Sequence, residues 1–410
     1  MPERLKVLMS AYACEPHRGS EPGVGWQWGM QMARFHDVTV VTRANNQAVI
    51  EQALSSFEGP RPQFIYFDPP KRWLAWKRRG LPVAIFYAIW QVGVRRFAAR
   101  RVADFDLIHH VTFNSFRQPG FWWGFDKPIV LGPLGGGQIC PWPFLFRFGR
   151  KLIPEAARSL SVLGSPCLPH LHLSFAAATK ILVANRDTER RIARRYRAKV
   201  AVMLETGIPS QEISSHQPGS SDGLVRILWL SRLEKIKGGP LTLRAFARAA
   251  AEVKELRLSI VGGGPEEAAL RRLSHRLGID PLITWHGAVT KQAVPSLLAA
   301  HDLFLFSSLR DTSGNVLLEA MAAGLPAVTL LHHGAAEIAT DETALRVPVR
   351  GHEATIAGVA QALVRLGRSE PLRKQLGQAA VARIAAVYDW QRKGEEMDRI
   401  YREAVAAYRV

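Results

Sequence analysis

The sequence contains little cysteine, with only Cys14, Cys140 and Cys167 among its 410 residues. These three lie far apart, so they provide neither the closely spaced pairs of a zinc site nor the dense pattern of a disulfide framework. We therefore expect no metal bound through cysteine and no stabilising disulfides. A reducing, cytoplasmic environment agrees with this usage.

Long hydrophobic runs are also missing. The longest nearly uncharged apolar stretch runs from Leu81 to Val94, which is shorter than the ~20 residues that span a bilayer. The N-terminus, MPERLKVLMSAYAC, places charged residues before a short apolar run, and this order predicts a first β-strand rather than a signal peptide. We expect a protein without a membrane span.

Acidic residues are scarce, because 35 Asp and Glu stand against 54 Lys and Arg, a formal net charge of +19. No Asp or Glu occurs between Asp68 and Asp104. A positive charge of this size favours an anionic partner, which can be nucleic acid, an anionic lipid surface or a phosphorylated ligand.

Aromatic residues are interleaved with the cations in two places, from Trp73 to Arg101 and from Trp142 to Lys151. Such segments suit the surface of an anionic membrane, where rings lie at headgroup level and cations meet lipid phosphate. We predict peripheral attachment to the inner face of a membrane through the N-terminal half. The alternative is ordinary helices with solvated arginines over an aromatic core.

The distribution of apolar residues predicts an α/β fold. Short β-branched runs alternate with helical patterns along the chain, which indicates parallel sheets with crossover helices. A first series of strands is predicted at Val7–Met9, Val38–Thr42, Phe64–Phe67, Leu107–His110, Ile129–Leu131, Ile181–Val183 and Val200–Leu204. A second series is predicted at Ile227–Leu230, Leu256–Val261, Ile283–His286, Leu303–Phe306 and Ala327–Leu330.

Two series of this kind predict two doubly wound domains, which is also what the chain length favours. Ligands bind outside the carboxyl ends of the strands in such sheets, so we expect the two domains to face a central cleft. The polar stretch Gln211–Gly223 reads as a linker or exposed loop. The predicted domains are 1–205 and 206–388, with a C-terminal helix over 389–410 that packs back toward the first.

Two cations follow the first strand of the second series. Arg232 and Lys237 stand in the segment LSRLEKIKG, between a predicted strand end and a predicted helix. A fixed guanidinium and an ammonium at that place can neutralise a departing diphosphate without a metal. A solvated basic turn is the alternative.

A small polar loop follows the strand Leu303–Phe306. Ser313 is expected to cap the next helix, whose first amide groups would point at an anion. Glu319 lies in an apolar part of that helix, so its carboxylate needs a partner. Ribose hydroxyls would supply one, and a nearby arginine is the structural alternative.

These two motifs, in this order, resemble those of retaining glycosyltransferases of family 4, which have the two-domain GT-B fold, and the resemblance covers nearly the whole chain. The family's Arg…Lys-Gly pair matches Arg232 and Lys237, and its paired acids match Asp311 and Glu319. The block EAMAAGLP at 319–326 is highly specific. The family usually has Glu at the first acidic position, where this chain has the shorter Asp311.

The resemblance implies that the C-terminal domain binds a nucleotide-diphospho-sugar, a UDP-, GDP- or ADP-sugar, with no further cofactor and no metal. Arg232 and Lys237 would contact the diphosphate, Asp311 the donor sugar and Glu319 the ribose. Arg232, Lys237 and Asp311 are therefore the candidate catalytic residues of this domain. The other candidate donor ligands are Gly263, Ser313, Gly314, Asn315 and Val316.

The resemblance also selects residues of the N-terminal, acceptor-binding domain. The loop that follows the first strand, with Gly19 and Ser20, would lie near the donor diphosphate. His109 and His110 match a region where the family commonly has a histidine at the reaction centre, and both are candidate catalytic residues. Strand alternation sends adjacent rings to opposite faces, so we expect His110 to face the cleft and the other ring to be a hydrogen-bonded core histidine.

The expected function is that of a hexosyltransferase-type enzyme. It would move a sugar, with retention, to a lipid-linked or saccharide acceptor in envelope or exopolysaccharide synthesis. A nucleotide-sugar epimerase or a phosphorylase of the same architecture is the first alternative. A nucleic-acid-binding protein is the second, disfavoured by the acidic pair and by the clustering of charge beside tryptophan, so we expect no nucleic-acid partner.

Overall fold

The structure is a computed structural model that describes residues 3–16, 18–214 and 222–409. It divides into two compact units. The first comprises Met1–Gly137, Ser161–Thr206 and Trp390–Val410, and the second comprises Gln138–Leu160 and Gly207–Asp389. Residues 215–221 of the predicted linker lie outside the described part of the chain.

Each unit is built on one parallel sheet. The strands of the first unit are β1 Lys6–Ala11, β2 Asp37–Thr42, β3 Gln63–Tyr66, β4 Leu107–Thr112, β5 Ile129–Leu134, β6 Lys180–Val183 and β7 Val200–Val202. Those of the second are β8 Val225–Leu230, β9 Leu256–Val261, β10 Ile283–Gly287, β11 Leu303–Phe306, β12 Ala327–Leu330 and β13 Ala344–Val347.

The two sheets share a strand order. The first runs β3-β2-β1-β4-β5-β6-β7 and the second runs β10-β9-β8-β11-β12-β13. Numbered within its own unit, each sheet begins 3-2-1-4-5-6, the order of a doubly wound fold. The order reverses between β1 and β4 in the first sheet and between β8 and β11 in the second. The predicted α/β class with two Rossmann-like domains is thus confirmed.

Helices cover the sheets. They are α1 Ser20–Ala33, α2 Gln47–Ser55, α3 Lys71–Arg78, α4 Val83–Ala99, α5 Trp142–Leu145, α6 Leu152–Gly164, α7 Pro169–Ala177 and α8 Arg186–Glu189. The later ones are α9 Gly239–Glu252, α10 Glu267–Arg276, α11 Val294–Ala299, α12 Asn315–Ala322, α13 His333–Ile338, α14 His352–Arg368, α15 Glu370–Arg383 and α16 Trp390–Arg409. Because helices lie on both faces, β4 and β5 are buried at every residue.

The observed units depart from the predicted boundaries in one segment. Residues 138–160 were expected in the N-terminal domain, but Cys140, Phe144, Leu145 and Phe148 lie in the hydrophobic core of the second unit. Burial of these apolar side chains outweighs their position in sequence between β5 and β6. The strand β13 was also not predicted, because four residues that include an arginine make a weak strand signal.

The C-terminal helix α16 belongs to the first unit. The indole of its Trp390 meets the indole of Trp28 edge to face, with ring centroids 5.2 Å apart. Its Lys393 is buried and donates a hydrogen bond of 2.6 Å to the carbonyl of Leu204. Apolar packing and this polar contact attach α16 to α1 and to the chain that follows β7.

Candidate functional site

In the second unit, the loops that follow β8 and β11 meet at the point where the strand order reverses. The Ser307 hydroxyl lies between them, since it accepts from Trp229 Nε1 at 3.1 Å and donates to the carbonyl of Lys237 at 3.1 Å. The amide of Leu309 donates to the carbonyl of Ile236 at 2.7 Å. The two predicted motifs are therefore fixed to each other through backbone and buried polar contacts.

Gly238 makes this close approach possible. Its φ is +76°, and a Cβ at this position would lie 2.2 Å from the carbonyl oxygen of Ser307. Only glycine accepts both the left-handed backbone and the contact. The glycine of the LSRLEKIKG motif thus has a structural reason that does not depend on any ligand.

The structure pairs the second cation of the first motif with the first acid of the second motif. Lys237 Nζ lies 2.5 Å from Asp311 Oδ2, and the side chains are 16% and 23% exposed. The amide of Thr312 donates to the other carboxylate oxygen of Asp311 at 3.1 Å. Lys237 and Asp311, predicted for separate substrate groups, form one partly buried ion pair.

Arg232 lies in the same loop but is far more open. Its side chain is 73% exposed, and Nη1 lies 3.0 Å from Glu234 Oε1. An exposed ion pair of this kind contributes little to stability. The guanidinium can therefore exchange Glu234 for an anionic ligand at low cost.

The helix α12 begins one residue later than predicted. Gly314, with φ of +82°, is its N-cap, and Ser313 Oγ instead donates to Asn315 Oδ1 at 2.9 Å. The expectation that Ser313 caps the helix is wrong, because the chain enters the helix through a left-handed residue. The backbone amides of Gly314, Asn315 and Val316 remain at the positive end of the helix dipole.

Glu319 lies in the middle of α12 among buried apolar neighbours. Burial raises the pKa of its carboxyl to about 7. The charge of Lys291 lowers this pKa, and the charge of Glu212 raises it further. In the described residues no hydrogen bond or ion pair is formed by this carboxylate. The side chain is partly buried, and an acid in such surroundings without a protein partner is costly to ionise. A ligand hydroxyl would relieve that cost.

The glycine turn after β9 packs against the loop that carries Arg232. Gly262 and Gly264 have positive φ, and a Cβ at either would contact the backbone of Ser231 or Leu233. Gly263 accepts a 3.0 Å hydrogen bond from the amide of Leu233. The turn borders the cationic loop, and two of its glycines are required by packing; the donor contact expected of Gly263 stays a prediction.

In the first unit, the loop after β1 leads into α1. Gly19 and Ser20 are exposed, and Ser20 has a φ of +63°. The next residue, Glu21, accepts a hydrogen bond of 2.7 Å from the amide of Asn114, just beyond β4. Burial raises the pKa of Glu21 to about 7; the Asn114 hydrogen bond opposes this and Glu205 adds to it. Glu21 was not among the predicted site residues, although it directly follows Gly19 and Ser20 at the start of α1.

The two histidines of β4 do not line an open site. His109 shares hydrogen bonds with Tyr401 (2.5 Å) and with the carbonyl of Gly132 (2.7 Å). His110 does so with Tyr87 (2.9 Å) and with Trp122 Nε1 (3.3 Å).

Both rings are fully buried, and the expectation that His110 faces a cleft is wrong. The reason is that β4 is a central strand covered on both faces, so that strand alternation sends each ring into a core. Burial lowers the pKa of His109 to about 4, and burial together with the neighbouring His109 lowers the pKa of His110 to about 3.

The described residues hold no cluster of metal ligands. No group of three His, Cys, Asp or Glu side chains converges there as a metal site would require. His332 and His333 stack on each other with centroids 4.1 Å apart. No helix in the described ranges has the length and apolar character to cross a membrane.

The chain is similar in sequence and in fold to known glycosyltransferases. Residues 225–367, which include both motifs of the second unit, match the family model described as Glycosyl transferases group 1. The matched residues lie within the second unit. The D-inositol 3-phosphate glycosyltransferase of Salinispora arenicola is 31% identical over 192 residues, which cover 44% of this chain and 42% of that protein. The chain spans about half the length of the curated relatives it matches.

Two solved structures show a likeness of fold that extends over both units. Sucrose-phosphate synthase from Thermosynechococcus elongatus aligns with a TM-score of 0.63 and 16% identity, over 98% of this chain and 100% of that one. HepE from Anabaena, in complex with UDP, aligns with a TM-score of 0.60 and 13% identity, over 97% and 100%. At identities this low, the likeness shows the fold alone.

Proposed function

We propose that this protein is a glycosyltransferase that moves a hexose from a nucleotide-diphospho-sugar to a hydroxyl of a lipid-linked or saccharide acceptor, with retention at the anomeric carbon. The observation that carries the proposal is the meeting of the Arg232–Lys237 loop with the Asp311–Glu319 segment where the strand order reverses. That is the place where doubly wound sheets bind nucleotides.

The proposed step breaks the bond between the anomeric carbon and the β-phosphate oxygen. The acceptor hydroxyl oxygen bonds to the anomeric carbon from the same face, and its proton passes to the departing diphosphate. Arg232 and Lys237 stabilise the charge that develops on the diphosphate, assisted by the amides of Gly314 and Asn315. Asp311 contacts the donor sugar. Through its ion pair with Lys237 it also positions the ammonium beside the diphosphate.

The proposed nucleotide contact is Glu319, whose carboxylate would accept hydrogen bonds from the ribose hydroxyls. Its partial burial without a protein partner supports this role. The complex of HepE with UDP supports UDP as the first nucleotide to test, beside GDP and ADP. In the proposed arrangement the second unit binds the donor, and the first binds the acceptor.

A donor screen followed by product analysis tests this function. Calorimetric titration with UDP, GDP and ADP identifies the nucleotide, and the corresponding sugars are then incubated with saccharide, lipid-linked and inositol phosphate acceptors. The last class is included because of the name of the Salinispora relative. We expect nucleotide diphosphate and an α-linked product. Epimerised donor without an acceptor would indicate an epimerase, sugar phosphate a phosphorylase, and binding of none of the nucleotides would contradict the proposal.

Peripheral membrane attachment in the cytoplasm is the second part of the proposal. Several aromatics of the basic segments are core residues, because Phe86, Tyr87, Trp90, Phe144 and Phe148 are buried. Other large apolar side chains are at least half exposed, and these would contact lipid: Trp76, Val83 and Ile85 in the first unit, and Trp142, Phe146, Ile153 and Leu160 in the second. Exposed apolar side chains beside an excess of positive charge suit an anionic membrane surface.

Co-sedimentation with vesicles tests the attachment. We expect binding to vesicles that contain phosphatidylglycerol, and less binding as salt is raised. Changing Trp142 and Phe146 to serine should weaken it, while Phe57→Ser, which removes an exposed ring outside the basic segments, should leave it unchanged. Equal binding to neutral and anionic vesicles would contradict an electrostatic contribution.

A further inference from the structure

Residues 138–160, here called the clamp segment, contact both loops of the donor site. On one side, Lys235 Nζ donates to the carbonyl of Phe148 at 2.8 Å. On the other, Arg310 Nε lies 2.9 Å from Glu155 Oε1, and Arg310 Nη2 donates to Glu155 Oε2 at 3.3 Å. Lys235 precedes Lys237 by two positions and Arg310 directly precedes Asp311. The clamp segment therefore holds the chain next to each member of the Lys237–Asp311 pair.

The helix α6 of the clamp segment buries polar side chains and exposes several apolar ones. On α6, Glu155 and Ser159 are buried, while Ile153 and Leu160 are 78% and 67% exposed. A surface helix ordinarily buries its apolar stripe. Leu152 packs on the core of the second unit and Val162 is fully buried, so α6 is placed by apolar burial together with the contact of Glu155 with Arg310.

Glu155 is held from its own segment as well. Arg158 Nη1 lies 3.8 Å from Glu155 Oε1 and donates to the carbonyl of Gln138 at 2.8 Å. The Glu155 side chain is 9% exposed and that of Arg310 is 22% exposed. A buried ion pair contributes little net stability, because desolvation offsets the attraction, but the loss of one partner is strongly unfavourable. The pair is thus better suited to fixing the position of the Arg310 side chain and its loop than to stabilising the fold.

We propose that Glu155 is a positioning residue for the transfer reaction: through Arg310 it fixes the Asp311 loop, and with it the Lys237 ammonium, in the geometry that binds the donor diphosphate. This inference rests on the proposed function. Glu155 itself touches no substrate group. Its carboxylate acts on the diphosphate site through the backbone between Arg310 and Asp311.

The test compares Glu155→Gln, Glu155→Asp and the double variant Glu155→Gln/Arg310→Gln by titration with the nucleotide diphosphate that the wild type binds. We expect Kd to rise about 10- to 100-fold in Glu155→Gln, because the partly buried guanidinium of Arg310 loses its charged partner and the Asp311 loop moves. The stoichiometry should remain one. In the double variant the two amides can hydrogen-bond to each other, and we expect most of the affinity to return.

A merely structural role gives a different result, since partial unfolding lowers the stoichiometry and leaves Kd unchanged. Glu353→Gln removes a surface partner of Arg248 in the same unit and serves as the matched control, with Kd within about 2-fold of wild type. If Glu155→Gln does not fold, Glu155→Asp keeps the charge on a shorter arm and is expected to raise Kd by a smaller factor.

Two results would overturn the inference. One is a wild-type Kd in both single variants, and the other is an unrestored Kd in a folded double variant. A wild type that binds no nucleotide diphosphate would instead contradict the proposed function, so the two failures are distinguishable.

Discussion

Lys237 Nζ and Asp311 Oδ2 are 2.5 Å apart, although 74 positions separate them in sequence. The two motifs that look independent in the sequence are joined by this pair and by the contacts of Ser307 beneath it. A change in either motif therefore acts on both, and the effects of variants at Lys237 and Asp311 should not be additive.

Replacing Lys237 with alanine should lower turnover by about 100-fold or more, because the ammonium no longer stabilises the departing diphosphate. The fold should persist, since the pair is partly exposed. Initial rates with saturating donor and acceptor measure the effect, with circular dichroism as the check on folding. Lys374→Ala, which removes a surface lysine paired with Glu370 at 2.7 Å, is the control; near wild-type turnover in Lys237→Ala would remove this residue from the mechanism.

Replacing Gly238 with alanine should destabilise the protein and weaken donor binding together. The new Cβ would collide with the carbonyl of Ser307 as well as occupy a left-handed residue, which by itself costs about 1–2 kcal/mol. Gly278→Ala is a matched control, because Gly278 has a φ of +67° but open space around it. Thermal unfolding should show a larger drop for Gly238→Ala; equal drops would mean that the close contact is unimportant.

Replacing Glu319 with glutamine should stabilise the ligand-free protein at high pH. The folded-state pKa of Glu319 is raised to about 7 from an ordinary value of 4.5, so its contribution to stability is present below pH 4.5 and is lost as the pH rises to 7. Glutamine has no such dependence, and its advantage should grow over that window to about 3 kcal/mol and then stay constant.

Urea unfolding at several pH values measures this difference. Nucleotide affinity should fall in the same variant, because an amide accepts ribose hydroxyls less well than a carboxylate does. A pH-independent difference in stability would show that Glu319 is not the titrating group.

Replacing His110 with phenylalanine should destabilise the protein without removing a catalytic group. The ring loses its hydrogen bonds with Tyr87 and Trp122, at an expected cost of about 1–3 kcal/mol. Because burial and His109 lower the folded-state pKa of His110 to about 3, wild-type stability is lost as the pH falls below 6.5, and the difference between the proteins should shrink toward pH 4.

Unfolding curves at pH 7 and pH 4.5 test the stability effect, and turnover per folded molecule tests the role in catalysis. A folded His110→Phe protein with turnover reduced 100-fold or more would restore the catalytic interpretation.

Removing divalent cations should leave transfer nearly unchanged. Arg232 and Lys237 supply two positive charges to the diphosphate in the proposed mechanism, so turnover in EDTA is expected within about 2-fold of that in magnesium. Initial rates after dialysis against EDTA measure this. A loss that magnesium or manganese restores would show that the donor is bound as its metal complex.

The sequence by itself determined the fold class and the two motifs at the strand ends of the second unit. Strands such as Leu256–Val261 and Leu303–Phe306 were predicted with their observed bounds, because a strand buried on both faces in a parallel sheet is a continuous apolar run. Arg232, Lys237 and Glu319 were selected from residue type and position beside strands and helices, and Asp311 from the family resemblance; their roles in donor binding stay predictions.

Only the tertiary structure decided what depends on contacts between distant segments. Local sequence could not show that both histidines of β4 are enclosed, because enclosure depends on α4 and α16 packing on opposite faces of one strand. Nor could it show that residues 138–160 join the second unit, since that follows from burial of Phe144 and Phe148 in its core. The ion pairs of Lys237 with Asp311 and of Glu155 with Arg310 exist because folding brings together charges that the sequence keeps far apart.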